Sequence, residues 1–339
     1  MNQPPVFSPQ LQEMQALATS GARAVETFER DGALHLVVPQ LAEDIPGQAP
    51  SMTEGNSDTD TLVYRWDGAA FALHQRLPVP GGEDAESFEI GGELYLATAS
   101  LRSGAGPYNM VTTSVIWRWR DGRFEPFQSV PSVAAKQWTH FSLQGRHFLL
   151  LAQGAHMPGH AAIAPQAASV IFQWNGERFE PFQEIESAWG YNARYFEHAG
   201  QHFLAYADHV APSRLLRWNG ERFEDHQVFE GGSGRAFCFF RHGGEAWLVF
   251  ARLLGETTLY RWDGNAFEPF QTLSGPGGRE LLWLDTPDGG CLVKVNFIRG
   301  TREAPQTALL SQLMVWRDGR LQECATFDTC GGTDAAHFT

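Results

Sequence analysis

One phrase recurs along the chain: an apolar or aromatic strand, a tryptophan, and then Asp-Gly or Asn-Gly. It reads YRWDG ending at Gly68, WRWRDG at Gly122, FQWNG at Gly176, LRWNG at Gly220, YRWDG at Gly264 and VWRDG at Gly319. The tryptophans Trp66, Trp119, Trp174, Trp218, Trp262 and Trp316 lie 53, 55, 44, 44 and 54 residues apart. Such a period means that one supersecondary unit is repeated, each burying its apolar face against the next. Each phrase leads into a second one: FALHQ, FEPFQ, FEPFQ, FEDHQ, FEPFQ and a degraded LQECA at 321–325. Upstream of each lies an apolar strand with a Gly-containing turn, as in ESFEIGGELYLATA and ARYFEHAGQHFLAYA.

Read by period, every unit holds four short strands. Strand A is the ESF-type segment and strand B the LYLA-type segment, joined by a tight Gly turn. Strand C carries the repeat tryptophan and joins strand D, the FEPFQ segment, through Asp-Gly or Asn-Gly, a strong hairpin signal. Four antiparallel strands in a unit of this length form the pattern of a β-propeller blade. Helical periodicity is almost absent, which disfavours α-solenoids of similar period.

The combination of a strand-A F…G, YLxxA, xIYRWNG and FxxFQ resembles the epitempin (EPTP/EAR) repeat. That repeat occurs in the leucine-rich glioma-inactivated proteins and related receptor ectodomains, which form seven-bladed propellers. The match recurs six times and covers essentially the whole chain. The resemblance implies an all-β, seven-bladed propeller with receptor-binding ability. It also implies a cation in the central channel, held partly by a strand-A Asp in a DAE- or DIE-type segment. EDAES at 83–87 matches that segment and TDAAH at 333–337 matches its Asp.

Strand A is expected seven times, around Phe28, Phe88, Phe141, Phe196, Phe240, Leu284 and Phe338. Strand D is also expected seven times, because LQEMQ at 11–15 aligns with FEPFQ. Strands B and C occur six times. The chain therefore reads as one propeller domain over 1–339, with blades at about 22–77, 83–129, 136–185, 191–229, 235–273 and 279–327. Blade 7 would be built from about 7–16 plus 333–339, closed by both termini and incomplete. A half blade exposes strand edges, which proteins avoid. A truncated sequence, or a second chain completing blade 7, is the expectation.

From the turn glycine to the repeat tryptophan is 18 residues in blades 4 and 5, but 34, 27, 29 and 26 in blades 1, 2, 3 and 6. The insertions all fall in B–C loops, which share a face with the D–A loops at the channel mouth. Function concentrates in such loops on a rigid scaffold. The blade-1 insertion at 39–60 carries Glu43, Asp44, Glu54, Asp58 and Asp60 without calcium-loop spacing, and reads as a solvated, flexible loop. Blade 2 offers Arg102, Tyr108 and Asn109. Tyr108 would stack on a ligand or pack within its loop. His156 and His160 lie four apart in blade 3, but Pro158 and Gly159 break the helix that would aim both at one metal.

Numbering strand A back from its aromatic places Asp84, Glu280 and Asp334 near one end of the channel, where carboxylates supply ligands to calcium or another hard cation. Two residues further along come Glu26, Glu86 and Arg194. Either a cation is held there, or the carboxylates pair with Arg194, Arg235 or Arg279 in a metal-free network. Ligand-binding candidates are Arg23, Tyr108, His156, His160, Tyr191, Arg235 and Arg279. The repeat tryptophans are expected as core between blades, and Cys238 as an inert thiol.

Charge narrows the partners. The 339 residues hold 25 Lys and Arg against 39 Asp and Glu, a net charge of −14 with no basic run. Nucleic acids and anionic membranes require clustered positive charge, so neither is expected. The start MNQPPVFSPQ lacks a signal-peptide pattern, and no stretch approaches a membrane span, so a cytoplasmic protein is expected. Four cysteines without a C-x-x-C pair make no disulfide framework.

Two function classes remain. The first is a rigid binding module that presents its B–C loops and charged channel mouth to a protein, peptide or small molecule. The second is an enzyme acting on a small molecule, with Glu26 and Glu86 as acid and base and Arg194 and Arg235 stabilising charge. No G-x-S-x-G, H-E-x-x-H or phosphate-cradling motif is present.

Overall fold

Two consecutive residues with positive φ make the reversed turns that match the twist of antiparallel strands. The computed structural model describes residues 11–49, 54–156, 164–286, 290–301 and 304–338. In it, Asp31-Gly32, Gly91-Gly92, Gln144-Gly145, Ala199-Gly200 and Gly243-Gly244 form this turn between strands A and B. Asp121-Gly122 and Asp318-Gly319 form it between strands C and D. After Trp66, Trp174, Trp218 and Trp262 the connection is two residues longer. There the Asx side chain takes over the turn: Oδ1 of Asp67, Asn175, Asn219 and Asp263 each accepts two backbone N–H bonds from the loop.

Six four-stranded antiparallel sheets result, each in chain order. Sheet 1 is β1 (Glu26–Arg30), β2 (Ala33–Val38), β3 (Asp60–Trp66) and β4 (Phe71–Pro78). Sheet 2 is β5 (Gly82–Ile90), β6 (Glu93–Ser100), β7 (Val111–Arg120) and β8 (Arg123–Val133). Sheet 3 is β9 (Gln137–Leu143), β10 (Arg146–Ala152), β11 (Ser169–Trp174) and β12 (Phe179–Ile185). Sheet 4 is β13 (Gly190–His198), β14 (Gln201–Asp208), β15 (Ser213–Trp218) and β16 (Phe223–Phe229). Sheet 5 is β17 (Gly234–His242), β18 (Glu245–Arg252), β19 (Thr257–Trp262) and β20 (Phe267–Ser274). Sheet 6 is β21 (Gly278–Leu284), β22 (Cys291–Asn296), β25 (Ala308–Arg317) and β26 (Arg320–Cys330), with the ribbon β23 (Arg299–Gly300) and β24 (Pro305–Gln306) inside its B–C connection.

The all-β, propeller-type expectation holds, and all four long insertions fall between strands B and C. The blade count is corrected: among the described residues there are six four-stranded sheets, not seven blades. Residues 11–19 and 333–338, expected to give strands D and A of a seventh, carry no strand. A strand requires a ladder of backbone partners. Residues 11–19 are held by side-chain bonds instead: Gln15 bonds both ways with the Phe71 backbone, at 2.9 and 2.8 Å, and the Tyr64 hydroxyl donates to Ala18 O at 3.0 Å.

The chain divides into two compact units, one with sheets 1–4 and the other with sheets 5 and 6. Within each, apolar clusters fill the space between successive sheets. Phe28, Val37, Leu96 and Trp117 lie between sheets 1 and 2; Phe88, Ile116, Trp138 and Leu149 between sheets 2 and 3. Phe141, Leu150, Ile171 and Leu204 join sheets 3 and 4; Phe240, Val249, Leu281 and Met314 join sheets 5 and 6. Repeat tryptophans pack onto the preceding sheet, as expected: Trp174 lies 5.8 Å from Tyr95, and Trp316 lies 4.6 Å from Trp247.

The FxxFQ segment does two jobs. Its second aromatic, or the residue replacing it, sits at a β-bulge against strand C in every sheet. Its glutamine clamps the next sheet: Gln75 pairs with the backbone of Phe124, Gln128 with Phe179, Gln183 with Phe223 and Gln271 with Leu321, each through one donated and one accepted bond. Gln15 repeats that clamp on Phe71, so LQEMQ does match FEPFQ at the clamp although not as a strand. Each such bond contributes about 1 kcal/mol net.

Candidate functional site

In sheets 1, 2 and 3, strand A carries polar side chains that bond to the next strand A. Glu26 Oε1 accepts from Ser87 N at 3.1 Å and from Ser87 Oγ at 2.5 Å. Asp84 Oδ2 accepts from Trp138 N at 2.8 Å, and Glu86 Oε1 accepts from His140 N at 2.9 Å. Gln137 Oε1 accepts from Ala193 N at 2.8 Å, while Thr139 donates to Ala193 O at 3.1 Å. Three of the carboxylates that looked catalytic or metal-ligating, Glu26, Asp84 and Glu86, thus form an inter-sheet belt.

Within that belt Glu86 is electrostatically distinct. The residue keeps some accessible surface, but its carboxyl group is enclosed by protein. Burial first, and the neighbouring Glu26 second, push its pKa up to about 8, against the pull of the His140 N–H and Arg194. Glu86 is therefore protonated at neutral pH. Glu26 and the exposed Arg194, expected beside Glu86, are the charged side chains that act on it.

At the B–C loop end of sheets 1 and 2, Arg102 organises the surface. Only 6% exposed, it donates through Nε to Ser57 Oγ at 2.8 Å and through Nη2 to Glu54 O at 3.4 Å. Its guanidinium lies 3.6 Å from the Tyr108 ring centroid, and the Tyr108 hydroxyl donates to Gly55 O at 2.9 Å. Backbone bonds complete the stitching: Ser57 N to Gly104 O, Gly81 N to Ser57 O, and paired bonds between Glu43 and Asn56. Gly104 N donates to Asp58 Oδ1, and Thr59 Oγ1 to Glu43 Oε1. For its described residues, the blade-1 loop is therefore fastened to the blade-2 loop, where a solvated, flexible loop was expected. The fastening is local in space but not in sequence, so acidic composition did not reveal it.

Beside this platform lies a charged cluster at the ends of three A strands. Lys136, 8% exposed, donates to Glu83 Oε1 at 3.2 Å, and Glu83 is itself 4% exposed. Arg23 Nε lies 3.6 Å from the same oxygen. Burial lowers the Arg102 pKa, and repulsion from Arg23 adds to that, so these guanidiniums sense each other. The Lys136 ammonium also lies 5.8 Å from the Trp189 ring and 5.4 Å from the Tyr191 ring. Arg23, Tyr108 and Tyr191, three of the expected ligand-binding residues, thus meet on one face of sheets 1–4. Glu83, Lys136 and Trp189 were missed as members. Glu83, Lys136 and Tyr191 share one strand-A position with Arg23, and reading that column would have found them.

His156 lies apart from them, beside a cavity of about 540 Å3 with Gln166, Glu186, Asp208, Pro212 and Arg214. Asp208 is consumed locally, accepting from the backbone N–H groups of Ala188, Trp189, Val210 and Ala211. His160 lies outside the described residues. In the unit of sheets 5 and 6, Arg235 is buried and donates to Gly234 O at 3.1 Å, and Arg279 lies 5.5 Å from the Phe297 ring. Cys238 is packed in that unit's core. Glu280 and Asp334 accept backbone bonds from Leu281 and Ala335. Among the described residues no three His, Cys, Asp or Glu side chains come together as a metal-binding group.

The EPTP domain pattern matches residues 10–67, 70–120, 123–175, 178–219 and 222–263. The human thrombospondin-type laminin G domain and EAR repeat-containing protein is 28% identical over 168 residues, 48% of this chain and 24% of that protein. The matched region therefore spans about a quarter of that relative's length. The periplasmic gluconolactonase of Pseudomonas aeruginosa shares the propeller fold with a TM-score of 0.61, at 13% identity over 95% of this chain and 89% of that one. A putative 6-phosphogluconolactonase from Bacteroides fragilis gives a TM-score of 0.54 at 12% identity, over 90% and 97% of the two chains. At such identity these likenesses speak for the fold alone. With five repeats matched over most of its length, the chain belongs to the EPTP domain family.

Proposed function

We propose that the protein is a rigid binding module that presents the B–C loop face of sheets 1–3 to a protein or peptide. The observation that carries this is the Arg102 platform. A surface fastened before binding loses little conformational entropy when a partner docks, which favours recognition. The belt supports the same reading, because its carboxylates hold neighbouring sheets together at recurring strand positions. The lactonase neighbours share only the fold, so their substrates are not carried over.

The test is a selection of peptides from a random displayed library against the immobilised full chain. Binding of selected peptides should be lost with the double substitution Asp58→Arg and Tyr108→Ala. It should persist with Glu177→Lys and Glu221→Lys in the C–D connections of sheets 3 and 4. The opposite pattern would refute the assignment of the face.

A second function has one observation in its favour. A carboxylic acid with pKa near 8 beside a second carboxylate and an exposed arginine is suited to proton transfer. On that reading Glu86 and Glu26 would act as acid and base, with Arg194 stabilising charge. Glu86→Gln would then abolish turnover of a small-molecule substrate, whereas a binding module would keep its peptide affinity.

A further inference from the structure

We infer that the cavity of about 540 Å3 between sheets 3 and 4 is a pocket for a basic side chain, lysine or arginine, of a protein partner. The inference rests on the loop-face reading above and extends that face to sheet 4. The B–C connections of these two sheets and the link between them line the cavity. Its volume is in the range of pockets that hold ligands.

The lining selects for a cation on an apolar stem. Three lining residues, Glu186, Gln166 and His156, carry side chains that bond to no other described residue. Glu186 and Gln166 are exposed, so a partner reaches them without any opening of the fold. Asp208, 1% exposed, adds a second carboxylate. Backbone N–H groups satisfy its oxygens, but among the described residues it forms no ion pair, so its negative charge is felt in the cavity. Arg214 is already engaged, by Asp225 at 3.0 Å and by Glu186 O at 2.5 Å, so an anionic ligand would have to compete for it. Among the described lining residues His156 is the only ring, which leaves a nucleobase no broad stacking surface. Ala211, Pro212 and Val228 supply apolar wall instead, with Val228 48% exposed. Lysine and arginine lay their methylene stems along such surface while the charged head finds polar partners. The net charge of −14 favours the approach of a basic partner.

The experiment is fluorescence anisotropy of the full chain with labelled hexalysine and hexaglutamine peptides. Hexalysine should bind and hexaglutamine should not. Glu186→Gln should weaken hexalysine about tenfold. Glu221→Gln removes the same charge from the C–D connection of sheet 4 and should leave the affinity within about twofold. Val228→Ser changes no charge and removes apolar wall, so it should weaken hexalysine about threefold with the melting temperature unchanged. Failure of hexalysine to bind overturns the inference, as does equal binding of hexaglutamine. Equal losses in Glu186→Gln and Glu221→Gln would overturn it too, since the peptide would then be reading overall charge. Affinity unchanged in both Glu186→Gln and Val228→Ser would place the peptide elsewhere and overturn it as well. Library peptides that bind the loop face while hexalysine does not would leave the module standing and remove the pocket alone. Hexalysine binding that is lost in Glu186→Gln, without any loop-face peptide, would keep the pocket and remove the module.

Discussion

Two polar regions of sheets 1–4 look alike in composition and differ in what their charges do. The strand-A belt spends its carboxylates on backbone N–H groups of the next sheet, through Glu26, Asp84 and Glu86. The loop platform ties its backbone down with Arg102, Asp58 and Thr59, and leaves Arg23, Trp189 and Tyr191 partly open. The lesson is that residue types associated with catalysis mark function only when their oxygens are not already serving the fold.

The sharpest way to break the platform is Gly81→Ala. Gly81 has φ +54°, and a Cβ there would meet Arg102 O at 2.3 Å. The substitution is expected to cost about 3 kcal/mol or more, read as a large drop in the urea midpoint. A change below about 1 kcal/mol would mean that this junction is looser than described. Arg102→Met comes next. It removes the bonds to Ser57 and Glu54 and the Tyr108 stack, and should cost about 2 kcal/mol while abolishing loop-face peptide binding. Binding that survives would separate the platform from function.

Between sheets, Gln183→Leu removes both bonds of one clamp and should cost about 1–2 kcal/mol by denaturant titration. Gln15→Leu, at an exposed clamp, should cost less. Equal losses would show that residues 15–19 bind sheet 1 as firmly as one sheet binds the next.

The belt is probed most gently by Glu86→Gln. The folded protein keeps this proton up to about pH 8, whereas the unfolded chain releases it in the usual carboxylate range. The stability contributed by Glu86 is therefore full at acid pH and declines as pH rises toward 8. Glutamine cannot ionise, so the variant should melt at nearly the wild-type temperature at pH 5 and a few degrees higher at pH 8. A variant that instead loses stability at pH 8 would show that the ionised carboxylate is the stabilising form.

Much of this was legible in the sequence. The repeat phrase located all six sheets, and the glycine-to-tryptophan intervals placed each long insertion between strands B and C. The alignment of LQEMQ with FEPFQ was right at Gln15 and wrong in implying a strand, because a clamp needs one side chain and a strand needs a ladder. The belt was hidden because its acceptors meet backbone N–H groups more than 50 residues away, which no side-chain pattern reports. One regularity was present but unread. A hydroxyl residue stands five positions before every repeat tryptophan: Thr61, Ser114, Ser169, Ser213, Thr257 and Ser311 are all fully buried. In sheets 2, 3, 4 and 6 it accepts the N–H of a polar residue at or just after the end of strand B, Ser100, Gln153, Asp208 or Asn296.

Hydrogen exchange of the free protein at residues 54–59 and 101–110, followed by mass spectrometry, tests the central claim that the loop face is built before any partner arrives. The amides of Asn56, Ser57, Leu101, Ser103 and Gly104 are bonded across or within these loops. They should exchange as slowly as edge-strand amides of the same sheets, and speed up in Arg102→Met. Exchange within seconds in the wild type, at the rate of an unstructured peptide, would contradict the account.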